Sequence, residues 1–221
     1  MIFLILLMLF QPLPTEAQEP AVVDEALVCL NATIQAEEEH QIQTNLLSSI
    51  ANVETGRWNE RLQQKMAWPW SVNVRGKGYF YKTKAEAIAA VKKWQKRGYK
   101  SIDVGCMQVN LRFHGSEFAN LEEAFDPEKN VAVAARILKK RYSLRNDWMM
   151  AATDYHSRRP KKASAYKKKI LAEWDNSEAS RAKFAVQYAA NFLVTKDTRS
   201  WFSKLFDRGE DAPSLTLSLR D

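Results

Sequence analysis

Chemistry is most readily built from Glu54, which ends the stretch Ile50-Ala51-Asn52-Val53-Glu54 and is followed by Thr55-Gly56-Arg57-Trp58. Leu46, Leu47, Ile50 and Val53 fall on one face at helical spacing, so the carboxyl sits at the C-terminal end of a helix. The helix dipole works against a negative charge there, and apolar neighbours favour the neutral form. A carboxylic acid that keeps its proton near neutral pH suits cleavage of an acetal C–O bond, where the leaving oxygen must be protonated as it departs. A solvated glutamate at a frayed helix end would look the same, and position alone does not choose between the two. Glu60 and Asp103 are the nearest carboxylates by motif for a mechanism using two acids, but nothing in the sequence places either beside Glu54.

Three further segments carry groups that could hold a polar ligand. In Gly105-Cys106-Met107-Gln108-Val109-Asn110, the glycine allows close backbone approach and Met107 offers an adaptable apolar contact. Gln108 and Asn110 each present donors and acceptors. Asn130 opens the run Asn130-Val131-Ala132-Val133-Ala134-Ala135, and Tyr155 lies in Ala151-Ala152-Thr153-Asp154-Tyr155-His156. A tyrosine hydroxyl needs a partner when buried, and a reactive carboxyl would serve. On residue type alone, Met107 and Tyr155 also read as ordinary core and Asn130 as a solvated first-turn residue. His40, His114 and His156 show no metal-ligand spacing, so neither a metal nor a cofactor is expected.

The elements that must position these groups are mostly helical. Helices are predicted over 26–36, 41–53, 84–96, 126–142, 147–157 and 161–174. Asp126-Pro127-Glu128 is a strong start, with a capping acid, proline at the first helical position and an acid in the first turn. Gly56 is placed to end its helix in the left-handed conformation. Residues 70–74 and 79–81 are rich in β-formers and flank Arg75-Gly76-Lys77-Gly78, which predicts a β-hairpin around a four-residue turn. The expected fold is therefore mainly α, of the α+β kind, with a small hairpin inserted. Trp68, Trp70, Tyr79 and Tyr81 could stack on sugar rings, although a small core within the insertion is the simpler use for them.

The chain has 221 residues, 46% of them hydrophobic and 27% charged, which suits one globular domain with modest extensions. Met1 to Phe10 is wholly apolar and leads into Gln-Pro-Leu-Pro-Thr-Glu-Ala, the pattern of a secretory signal cleaved after Ala17, although no Lys or Arg precedes it. Two cysteines, Cys29 and Cys106, suit an exported protein with one disulfide; two unrelated buried thiols are the alternative. Formal net charge is +7, and loss of residues 1–17 removes Glu16 and no cation, leaving +8. A basic surface suits a polyanion. No helix-turn-helix, zinc-ligand or aromatic RNA-binding pattern accompanies it, so nucleic acid is not an expected partner. Residues 181–194 and 199–206 are basic and amphipathic. Docking on the domain is the simplest use for them; binding a partner helix and contact with a membrane surface are the less favoured ones.

The four motifs, in this order, closely resemble the lytic transglycosylases of the goose-type-lysozyme superfamily, soluble lytic transglycosylases among them. The resemblance covers residues 29–175 and implies a lysozyme-like fold that cuts peptidoglycan glycan strands. It further implies that Glu54 is the acid, with Thr55 in the serine position of the Glu-Ser-Gly-type motif. Gly105-Cys106-Met107-Gln108 corresponds to the Gly-Leu-Met-Gln segment, with Cys106 in place of leucine, which favours pairing it with Cys29. Asn130 corresponds to the asparagine of Asn-x-x-x-Ala-Ala. Tyr155 corresponds to the tyrosine of Ala-x-x-x-Tyr-Asn, with His156 in the asparagine position. Thr55, Met107, Gln108, Asn110, Asn130 and Tyr155 are thereby implied to bind substrate. Asp103 stands where serine is common and would cap or hydrogen-bond the loop.

The resemblance implies one acid/base residue and a 1,6-anhydromuramyl product formed without water. A hydrolytic lysozyme and a silent wall-binding module remain as alternatives. The long insertion between Glu54 and the Gly-Cys-Met-Gln loop resembles members that serve secretion systems or flagella, in the periplasm of a Gram-negative bacterium. The expected organisation is a signal at 1–17, a catalytic domain at 18–175 and an extension at 176–221.

Overall fold

A computed structural model describes residues 25–192; the apolar N-terminal stretch and residues 193–221 lie outside the described residues. Helix α1 (Glu25–Glu39) leads to α2 (Leu46–Thr55), the hairpin β1 (Gly56–Asn59) and β2 (Gln64–Ala67), and a second hairpin, β3 (Ser71–Val74) and β4 (Lys77–Phe80). Next come α3 (Lys84–Lys96), β5 (Ile102–Val104), β6 (Val109–Asn110) and the short α4 (Leu111–His114) and α5 (Leu121–Ala124). Three helices follow: α6 (Pro127–Arg145), α7 (Trp148–His156) and α8 (Pro160–Phe192). The architecture is the expected one, mainly helical with a small antiparallel sheet, and that sheet has the order β4-β3-β5-β6.

Local sequence explains most of the helix starts. The side chains of Thr83, Asp126 and Asp147 accept from the backbone amides of Glu86, Lys129 and Met150, satisfying donors that a helix N-terminus leaves open. Helix α2 forms the centre of the core. Leu46, Leu47, Ile50 and Ala51 are buried together with Ala32 and Ala36 of α1, Leu138 of α6 and Ile170 of α8. Each fully buried Leu or Ile contributes about 1.5–3 kcal/mol, so the α2 face bearing Glu54 is held mainly by burial.

Several local expectations differ from the structure. The β3–β4 turn is Arg75-Gly76 alone, both with positive φ, and Lys77 and Gly78 pair within the strand. The β1–β2 hairpin and strands β5 and β6 were not legible, because runs of two to four residues show no usable alternation. Gly56 is extended, with φ −62° and ψ 129°, and not left-handed.

Helix α8 passes through the boundary expected at 175/176 without a break. Ser177, Ser180 and Ala185 are buried, and Arg181 donates to Glu37 of α1 at 2.9 Å and to Asn45 at 3.3 Å. Glu37 is buried, and its carboxylate also accepts from the amides of Asn45 and Ser48 at 3.0 and 3.1 Å.

Burial pushes the Glu37 carboxyl from the usual 4.5 up to about 7, against the pull of the Arg181 guanidinium and these amides. A carboxyl raised by folding binds its proton more tightly in the folded than in the unfolded chain. Its contribution to stability is therefore complete below about pH 4.5 and drains away as pH rises towards 7. Chemical denaturation from pH 4.5 to 8 should show this slope in the parent chain and its loss in Glu37→Gln. A stability difference between the two chains that stays constant with pH would contradict the assignment.

Candidate active site

Glu54 is carried on the last turn of α2 and keeps 17% of its side chain exposed. Its Oε1 accepts a 2.6 Å hydrogen bond from the Tyr166 hydroxyl of α8. The His156 Nδ1 lies 3.7 Å from the same oxygen, and the His156 ring stacks on Tyr166 at 4.3 Å with an interplanar angle of 4°. With Oε1 accepting from Tyr166, Oε2 is the carboxyl oxygen outside that bond, and Tyr166 fixes the orientation of the carboxyl.

The turn that follows is built around Gly56. A Cβ there would lie 2.3 Å from the Asn52 carbonyl oxygen and 2.4 Å from Lys65 Cε. Glycine is needed because the Asn52 carbonyl is backbone and cannot move aside; the Lys65 side chain also crosses here on the way to Glu173 of α8, a 2.5 Å ion pair. This bridge ties the β1–β2 hairpin to the helix that supplies Tyr166.

The loop from Gly105 to Gln108 is fixed from below. Asn130 is fully buried; its Nδ2 donates to Val104 and Ala124 carbonyls at 3.0 and 2.9 Å, and its Oδ1 accepts from the Met107 amide at 3.0 Å. Gly105 has φ 79°, and a Cβ on it would come within 2.4 Å of the Asn130 amide. Thr55 donates to the Cys106 carbonyl at 3.0 Å, and Tyr155 donates to the Met107 carbonyl at 2.8 Å. Cys106 is disulfide-bonded to Cys29 of α1, with an S–S distance of 2.10 Å.

These contacts revise several roles. Thr55, Met107 and Asn130 are 1%, 0% and 0% exposed, so their side chains have no surface to offer a ligand and instead shape the loop. The group that approaches Gly105 closely is Asn130 and not a ligand. Tyr155 holds the loop carbonyl, and the buried hydroxyl that reaches the carboxyl is that of Tyr166. Gln108 is half-buried with φ 49°, and its Nε2 donates to Ser71 and Gly105 carbonyls at 3.3 and 3.2 Å. Asn110 caps α4 and donates to Asp103 Oδ1 at 2.6 Å. Of the six implied contacts, Gln108, Asn110 and Tyr155 are half-buried and the other three are buried.

Burial raises the Asp103 carboxyl; the charge of Glu54 adds to this, while Asn110 and His156 work against it. Burial, with Glu54 next, pushes the hydroxyls of Tyr155 and Tyr166 well above their usual range, so both act as neutral donors. No group of three or more His, Cys, Asp or Glu among the described residues could hold a metal ion.

Trp68, Trp70, Tyr79 and Tyr81 mainly serve the insertion. Trp70 is buried, Trp68 Nε1 donates to the Tyr81 carbonyl at 2.7 Å, and Tyr79 packs on Trp94. Exposed aromatic surface lies instead on Phe113, Trp58 and Phe80, at 70%, 58% and 46%; Trp58 follows Arg57, whose guanidinium sits over Trp68 and Phe80.

Neither Trp58 nor Tyr166 stood out in the sequence. The available signal for Tyr166 was a lone hydroxyl on the apolar face formed by Ala163, Tyr166, Ile170 and Trp174, flanked by lysines. No curated protein and no solved structure gives a significant match to the chain. A protein-family model, that of the transglycosylase SLT domain, matches residues 31–174. That match takes in Glu54, the Gly105–Gln108 loop, Asn130 and both tyrosines, and with it the chain belongs to the transglycosylase SLT family of enzymes that act on peptidoglycan.

Proposed function

We propose that the protein is a lytic transglycosylase cleaving the MurNAc-β-1,4-GlcNAc bond, with Glu54 as acid and then as base. The observation that carries this reading is the partly exposed Glu54 carboxyl whose Oε1 is pinned by Tyr166. From Oε2 the proton passes to the leaving oxygen while the substrate's N-acetyl oxygen assists departure. The resulting carboxylate then takes the proton of the muramyl 6-hydroxyl, which closes onto C1. The 1,6-anhydro end forms without water, and Glu54 recovers its proton for the next cycle.

Export to the periplasm of a Gram-negative bacterium fits this substrate, and the Cys29–Cys106 disulfide suits an oxidising compartment. The insertion between Glu54 and Gly105 suits an enzyme that opens the wall locally for a secretion or flagellar apparatus. A hydrolytic outcome is the second reading, with Asp103, a half-buried carboxyl on β5 two residues before Gly105, as the candidate second carboxylate. Mass spectrometry of products from purified sacculi separates the two readings. Anhydro ends, one water lighter, are expected; exclusively reducing-end muramic acid would transfer the assignment to hydrolysis with Asp103 as the second carboxylate.

A further inference from the structure

The corner between α7 and α8 is the most strongly charged surface among the described residues close to Glu54. From Arg158 to Lys169 the chain carries Arg158, Arg159, Lys161, Lys162 and the run Lys167 to Lys169, with no Asp or Glu between them. All seven cations are exposed. None has an ion-pair partner among the described residues. Like charges gathered this closely repel one another, so an anionic ligand would relieve a cost that the folded protein otherwise bears.

Their location relates the charge to the proposed chemistry. His156, two residues before the segment, lies 3.7 Å from Glu54, and Tyr166, within it, donates to Glu54 at 2.6 Å. Lys162 precedes Tyr166 by four residues and Lys169 follows it by three, so both neighbour Tyr166 on the helix surface. A glycan strand with its scissile bond at Glu54 would therefore pass its substituents along this corner. In peptidoglycan, the anionic substituents are the carboxylates of the peptide stems.

We propose that the Arg158–Lys169 corner is the site that takes the stem-peptide carboxylates of the glycan strand, and so selects strands bearing acidic peptides over bare glycan. This rests on the peptidoglycan reading given above. An anionic lipid surface is the less suitable occupant. Among the described residues, the large apolar side chain exposed beside these cations is Leu171, too little to insert into a bilayer.

The test measures binding with the full chain carrying Glu54→Gln, so that no turnover intervenes. Co-sedimentation is compared on native sacculi and on sacculi whose carboxylates have been converted to neutral amides with carbodiimide and ethanolamine. Amidation should weaken binding about tenfold and flatten its steep dependence on salt. A second protein, adding Arg158→Gln, Arg159→Gln, Lys162→Gln, Lys168→Gln and Lys169→Gln, should bind native sacculi as weakly as the parent binds amidated ones. Equal binding of both sacculus preparations by the parent overturns the proposal, whether or not the multiple variant folds. If the variant keeps its sacculus binding but loses binding to phosphatidylglycerol vesicles, the corner faces lipid and the proposal also fails. The functional reading fails separately, if unmodified protein releases no anhydro ends while carboxylate-dependent binding persists.

Discussion

Glu54→Gln is expected to lower muropeptide release from sacculi by at least about 10²–10⁴-fold, the range for removing a general acid or base. The loss should lie towards the upper end, because one residue serves both steps of the proposed reaction. Glutamine is isosteric and its Oε1 can still accept from Tyr166, so the melting temperature and sacculus binding should change little. That combination separates chemistry from folding. Turnover within tenfold of the parent would remove Glu54 from the mechanism, whereas a collapsed melting temperature would mean that the carboxyl is needed for structure. Tyr166→Phe supplies an internal comparison, since it frees Oε1 while leaving the acid in place.

Loss of the Cys29–Cys106 bridge should have the largest effect on stability. The two cysteines are 77 residues apart in sequence, and for a loop of that size the chain-entropy model gives about 4.5 kcal/mol. For a chain of this length that corresponds to a fall in melting temperature of about 9–18 °C. Thermal melts with and without a thiol reductant, repeated on Cys29→Ser with Cys106→Ser, would measure it. Activity should fall as well, because the Cys106 carbonyl receives Thr55 and the next carbonyl receives Tyr155. Superimposable melts in the two redox states would show that packing alone holds the loop.

The parts of this molecule legible in its sequence are those governed by local rules. Thr83, Asp126 and Asp147 sit at helix starts because short polar side chains cap open amides, and that requires only neighbouring residues. The place of Glu54 at the end of an apolar helix face was legible too, being a local property. The β1–β2 hairpin was not, since its four-residue strands show no usable alternation and its tie to Glu173 is made 108 residues away. Asn130 and Tyr166 show the same limit. An asparagine in a first turn and a tyrosine among lysines have ordinary local explanations. Only tertiary packing puts one beneath Gly105 and the other on the Glu54 carboxyl. A packed tyrosine hydroxyl needs a partner, but Tyr155 and Tyr166 both fit that description, and local sequence does not say which of them reaches the carboxyl.

The Cys29–Cys106 link also bears on how the protein withstands proteases. Glu54, both hairpins and the insertion helix all lie between the two cysteines. A single nick at any exposed turn in that interval, such as Arg75-Gly76, would leave two fragments still joined through sulfur. Re-association would then be intramolecular, and the halves of the cleft could not diffuse apart. Under non-reducing conditions a nicked molecule would migrate close to an intact one, and its damage would become visible only after the sulfurs were separated.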